Sequence, residues 1–166
     1  MKKFLSIIAV LLSALLLLTA CGSDGQPAAK GPEAGQSGEE STDGGLFPAI
    51  AKENIKVGVI HIGNPADGSG YTYAHDQGIV EMQKAFGLSD NQIIRKNNVN
   101  DTDPTATEAA ILECIEEGAN IIFGTSWGYM DTLEALAEEH PEVIFSHGSG
   151  YKNNDKNFNN YFGRIY

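Results

Sequence analysis

The sequence predicts an α/β domain built as a parallel sheet with flanking helices. Three observations predict it. Ile55–Ile62 is a short, nearly continuous run of branched apolar residues, the pattern of a strand buried on both faces. Strand-like runs then alternate with stretches whose apolar residues recur at three and four positions, one such unit in roughly 25–30 residues. Gly, Pro, Asn and Asp gather in the joints between them, where sharp turns need them. Alternation at that spacing implies parallel pairing, because each right-handed crossover returns the chain to the same end of the sheet.

The elements follow in order. After the first strand, Ile55–Ile62, comes a Gly/Pro/Asp-rich loop, Gly63–Gly70. A helical pattern then places Ile79, Met82 and Phe86 on one face and ends at Gly87. Gln92–Arg95 is a short second strand and Asn97–Asp103 a polar loop. Asp103-Pro104 reads as a helix cap followed by proline in the first turn, where its missing N–H costs nothing. The second helix carries Ile111, Cys114 and Ile115 on one face and stops at Gly118. Asn120–Phe123 is the third strand. Asp131–His140 is the third helix, with Leu133, Leu136 and Ala137 inward and Pro141 after it. Glu142–Ser146 is the fourth strand, and Asn160–Ile165 begins a fifth.

The chain before this domain has a different texture. Met1-Lys2-Lys3 is a short basic start, and Phe4–Leu18 is an apolar run of signal-peptide length. Leu18-Thr19-Ala20-Cys21 puts small residues ahead of a cysteine and resembles the bacterial lipobox. That resemblance implies a signal peptide over residues 1–20 and a diacylglycerol thioether on Cys21. The chain is then expected to be lipid-anchored at the outer face of the cell membrane, held by two acyl chains. Residues 22–45 contain no aromatic and no branched aliphatic residue, so they cannot bury a core and are expected to form a disordered tether. Its end-to-end distance as a Gly/Ser-rich coil is roughly 25–30 Å. Residues 46–166 are left for the folded lobe.

Charge and cysteine content narrow the function classes. The chain has 22 acidic residues against 11 basic ones, a formal net charge of −11. Such a surface repels nucleic acid and anionic headgroups, so no nucleic-acid partner is expected. The two cysteines lie at the leader junction (Cys21) and on a predicted helix (Cys114), so no disulfide is expected. Cys114 shares a face with Ile111 and Ile115 and is read as core.

In parallel sheets, ligands bind outside the carboxyl ends of the strands. Four segments fall there: Gly63–Tyr73, Asn97–Asp103, Gly124–Asp131 and His147–Tyr151. They hold Asp67, Tyr71, Tyr73, Ser126, Trp127, Tyr129, Asp131, His147 and Ser149. Aromatic rings beside Asp and Ser suit a flat solute with a polar edge, and they equally suit loops packed on helices. Asp131 reads either as a ligand contact or as the cap of the third helix. Gly124-Thr-Ser-Trp-Gly128 also matches G-x-S-x-G between a strand and a helix, which would make Ser126 a hydrolase nucleophile. That reading needs a base and an orienting acid, for which His140, His147 and Asp131 are the candidates. Gly68-Ser-Gly70 lacks the further glycine of a dinucleotide loop, and the histidines lack metal-ligand spacing, so no cofactor or metal is expected. His61, on a buried strand, is read as a hydrogen-bonded core residue. A surface lipoprotein with no transport role is a further alternative.

Five blocks carry a family resemblance: Lys56–Ile62, Asp67–Gly78, Ile121–Asp131, Val143–Tyr151 and Asn160–Arg164. In this order they resemble the basic membrane protein family, substrate-binding lipoproteins of ABC importers that include purine nucleoside receptors. The resemblance spans residues 55–166. It implies the N-terminal lobe of a type I periplasmic-binding fold, whose two α/β lobes close on a solute and present it to a membrane permease. It implies a purine base or nucleoside as solute and no enzymatic activity. It places Asp67 at the solute's polar edge and Tyr71 at the stacking aromatic, with Thr72 standing where the better-known members carry asparagine. Trp127 and Tyr129 match the second loop by position, with Asp131 either the polar contact there or the cap of the helix that follows; Ser126 and His147, at strand ends, complete the expected set. Members of the family run to about twice this folded length, so a second lobe is expected to be absent here and the chain to bind solute weakly or not at all.

Overall fold

A computed structural model, which describes residues 47–162, contains one sheet of five parallel strands. The strands are β1 (Val57–Ile60), β2 (Ile93–Lys96), β3 (Ile121–Gly124), β4 (Ile144–Gly148) and β5 (Phe158–Tyr161), in spatial order β2-β1-β3-β4-β5. The helices are α1 (Gly70–Phe86), α2 (Pro104–Glu116) and α3 (Met130–Glu139). The expected leader, Cys21 and tether lie outside the described residues.

The helices form where caps and periodicity direct them. The carboxylate of Asp103 accepts from the backbone N–H groups of Thr105 and Ala106, and Pro104 follows it. Gly87 ends α1 at φ 60°, and the next amide, that of Leu88, bonds the Gln83 carbonyl at 2.9 Å. This closes the last turn in a Schellman arrangement and buries Leu88 behind it.

Alternation along the strands divides the core in two. Val57 and Val59 pack with Ile79 of α1, Leu88 and Ile93 on one face. On the other, Ile60, Ile122, Phe145 and Phe158 pack with Ile111 and Cys114 of α2 and with Leu133 and Leu136 of α3. Cys114 is fully buried, as its spacing predicts, and burial pushes its thiol up to about 12.

The ends of β1 to β4 lie one or two residues from the sequence expectation, and three further boundaries also differ. Tyr71, Thr72 and Tyr73, expected in a loop, form the first turn of α1, which begins at Gly70. The apolar period that marks this helix is confined to its C-terminal half, so its polar, aromatic start reads as loop. The third helix begins at Met130, so Asp131 lies inside its first turn and does not cap it. The fifth strand starts at Phe158, ahead of Asn160, because Phe158 fills the core opposite Phe145. Its neighbours Asn157, Asn159 and Asn160 hide that strand behind a polar composition.

The strand order fixes where a site can form. The chain leaves β1 toward β2 on one side, then returns past β1 to β3 on the other. The loops after β1 and β3 therefore diverge at their carboxyl ends and open a crevice between them.

Candidate functional site

Two aromatic groups flank that crevice. In the first turn of α1, Tyr71 is 46% exposed and its ring centroid lies 4.4 Å from that of His75. Its hydroxyl is 3.4 Å from the Oγ of Ser149 in the loop after β4. In the short 3-10 turn Trp127–Tyr129 after β3, Trp127 is 56% exposed. Its ring lies 5.6 Å from Tyr151, tilted by 49°. Ser149 and Tyr151 belong to the same loop, so one segment touches both aromatic groups. Ser149 sits there at φ 72°, a left-handed conformation uncommon outside glycine.

Beneath the rings the crevice floor is polar and buried. His61, just beyond β1, places Nδ1 3.2 Å from the Thr125 hydroxyl and Nε2 3.3 Å from an Asp76 oxygen. Arg95 donates to the same Asp76 oxygen at 2.6 Å. Burial lowers the His61 pKa, and the hydrogen bond and charge of Asp76 act against it. Neutral His61 donates to Asp76 and accepts from Thr125. When protonated it donates from both nitrogens, and the Thr125 hydroxyl turns to the Ile60 carbonyl, 2.8 Å away. His61 is thus the hydrogen-bonded core residue its strand position predicts.

On the other side of the crevice, His147 is fully buried and its Nε2 donates to the Ser126 carbonyl at 2.6 Å. A carbonyl accepts only, so the proton of the neutral ring is on Nε2. Nδ1 is buried without a partner. Burial lowers the pKa of this ring as well. The Ser126 hydroxyl donates to an Asp101 oxygen at 2.6 Å.

The expected site residues therefore separate by exposure. Tyr71 and Trp127 present open ring surface. Asp67 is exposed in the short turn Pro65–Asp67, whose start Asn64 caps by accepting from the Ala66 N–H. Thr72 is buried against Gly63. Tyr129 and His147 differ from the expectation of solute contact. Both have no exposed surface, and the Tyr129 hydroxyl is committed to the Val99 carbonyl at 2.7 Å. They support the loops from below. Asp131 is exposed and pairs with Lys152 Nζ at 2.9 Å. Ser126 is buried and its hydroxyl is engaged with Asp101, not with an imidazole. A hydrolase needs its serine hydroxyl aimed at a base nitrogen, and here His147 addresses the carbonyl of that residue. Sequence reasoning weighed His75-Asp76 only as metal ligands and did not place His75, Tyr151, Asp76 or Asp101 at a solute site. The first two are ordinary aromatics at a helix start and a loop, and the two carboxylates become distinctive only through their partners.

Residues 55–166 match the family model described as ABC transporter substrate-binding protein PnrA-like. The chain is 39% identical over 118 residues to a Brucella abortus protein named as purine-binding, a match covering 71% of this chain and 32% of that protein. It is 29% identical over 127 residues to a Haloferax volcanii protein provisionally named as an ABC transporter glucose-binding protein, covering 76% and 30% of the two chains. The chain thus spans about a third of the length of these curated relatives. Among solved structures, an ABC transporter solute-binding protein from Conexibacter woesei superposes with a TM-score of 0.51 at 22% identity, over 65% of this chain and 35% of that one. A transcriptional activator of the comK gene from Bacillus halodurans superposes with a TM-score of 0.52 at 16% identity, over 63% and 33%. At these identities the two structures speak for the fold alone. With a family model matched across the whole sheet and its crevice loops, the chain belongs to the PnrA-like family of ABC transporter substrate-binding proteins.

Proposed function

We propose that the crevice between the loops after β1 and β3 receives a purine base or nucleoside, stacked on Tyr71 or Trp127, with Asp67 accepting from its N–H edge. The observation that carries this reading is the exposure of both rings at the switch point, each braced by the loop after β4. Base-on-aromatic stacking is worth about 1–3 kcal/mol per base. A wall this open covers one side of a flat solute, whereas tight sites bury about 70–90% of theirs. Residues 47–162 alone therefore support affinity near the millimolar range, about −4 kcal/mol.

In the same proposal the protein is non-enzymatic, is anchored by lipid on Cys21 at the outer face of the membrane, and delivers solute to an ABC permease. Metabolic labelling with palmitate tests the anchor: label lost on Cys21→Ser supports it, and label retained or absent throughout contradicts it. A sugar is the second reading, favoured by the name of the Haloferax relative and by the fit of an aromatic face to a pyranose ring. Calorimetric titration with adenine, guanosine and glucose separates the two. Heat from the purines alone supports the first reading, and heat from glucose alone replaces it with the second.

A further inference from the structure

We propose that Asp101 is a positioning residue that holds Trp127 in its stacking pose. It lies in the loop after β2 and grips the residues on both sides of the tryptophan. Ahead of Trp127, the Ser126 hydroxyl donates to Asp101 Oδ2 at 2.6 Å, the length of a charge-assisted O–H···O⁻ bond. Behind it, Gly128 packs so closely that an added Cβ would stand 2.1 Å from the Asp101 carbonyl oxygen. A side chain at Gly128 would push the two loops apart.

Asp101 is itself held. Asn100 turns the loop by accepting from the Thr102 N–H at 3.1 Å and the Thr102 hydroxyl at 2.9 Å. The Val99 N–H bonds the His61 carbonyl at 2.9 Å, and the Val99 carbonyl receives the Tyr129 hydroxyl. The loop after β2 is thus tied to the crevice floor and to the turn bearing Trp127. The ring of Trp127 is mostly exposed and rests on the still more exposed Tyr151, so no core packing fixes it. Its direction is inherited from the backbone of Ser126 and Gly128, and Asp101 bears on both.

The effect on solute affinity rests on the solute-site reading above, whereas the effect on the ring does not. Trp127 is the single tryptophan of the chain, so fluorescence excited beyond the tyrosine absorption band reports on it alone. In the full chain, Asp101→Ala is expected to raise the acrylamide quenching constant about twofold and to lower anisotropy, as a released ring gains motion and exposure. Asp101→Asn keeps an acceptor and is expected to recover most of the native signal. Adding Ser126→Ala to Asp101→Ala is expected to change nothing further, because both remove the same bond. Native quenching and anisotropy in Asp101→Ala, with native far-UV circular dichroism, would overturn the proposal. If Asp101→Ala does not fold, Ser126→Ala alone decides between the same two signals. Purine affinity is expected to fall about two- to tenfold in Asp101→Ala, the cost of ordering a freed side chain on binding. A native chain that ignores purines contradicts the solute reading and leaves the fluorescence test of Asp101 in force.

Discussion

His147 Nε2 lies 2.6 Å from the Ser126 carbonyl oxygen, joining the end of β4 to the turn that presents Trp127. The bond is fully buried and fixes the ring's tautomer, so it supports both the core and the site. Cutting it leaves the Ser126 carbonyl with only the longer bond from the Tyr129 N–H, at 3.2 Å, and opens a cavity. His147→Ala is expected to destabilise the fold by about 2–4 kcal/mol in denaturant unfolding. His147→Gln, which can still donate, is expected to cost less than half as much.

The same ring gives the stability a pH dependence. His61, His75 and His147 all have pKa values lowered from 6.5, chiefly by burial. The folded chain keeps these rings neutral, whereas the unfolded chain takes up their protons as pH falls through 6.5. Their contribution is therefore unchanged above that pH and is lost as pH falls below it, levelling once the folded values are passed. The thermal midpoint is expected to drop between about pH 7 and pH 5, less steeply in His147→Gln than in the native chain. An equal slope in the two proteins would remove His147 from this account.

Cys114 offers a clean test of the core. Its thiol is fully buried against Gly58 and Ile122, and burial pushes its pKa to about 12. In a Cys21→Ser background, a disulfide reagent at neutral pH is expected to titrate no thiol in the native chain and one in urea. Rapid labelling of the native chain would contradict the packing of α2 on β1.

Phe158 tests the fifth strand. It is 1% exposed and pairs in register with Phe145. Phe158→Ala is expected to cost about 3–5 kcal/mol in urea unfolding, while Asn159→Ala beside it, which removes only the acceptor of the Ser146 hydroxyl at 2.8 Å, costs about 1 kcal/mol. Comparable losses at both positions would mean that β5 is not paired as described.

The legible parts of the fold were those written in apolar periodicity. Ile111 with Cys114, and Leu133 with Leu136 and Ala137, mark α2 and α3 because each helix buries one stripe. Val57–Ile60 marks β1 because both its faces are covered. The start of α1 was not legible, since Gly70, the exposed Tyr71 and the buried but polar Thr72 carry no apolar core pattern. Phe158 was missed for a related reason: one aromatic among asparagines has no period to display. At the site, the aromatic residues near strand ends could be named from position, but their exposure could not. Tyr129 and Trp127 lie two residues apart, and the structure sends one into the core and leaves the other open. Asp101 and Asp76 acquire their roles from partners 25 and 19 residues away, a relation that no local pattern records.

The central claim is that Tyr71 and Trp127 form the solute-facing wall. Its most direct test is a two-dimensional ¹H–¹⁵N spectrum of the chain titrated with adenine or guanosine into the millimolar range, with glucose as the comparison. The account predicts saturable shifts in the Trp127 indole and in the amides of Tyr71, Ser149 and Tyr151, caused by the purines, with those at Ser149 and Tyr151 abolished in a Tyr71→Ala, Trp127→Ala double variant. Purine-induced shifts elsewhere on the sheet, or none at these four residues at millimolar purine, would contradict it.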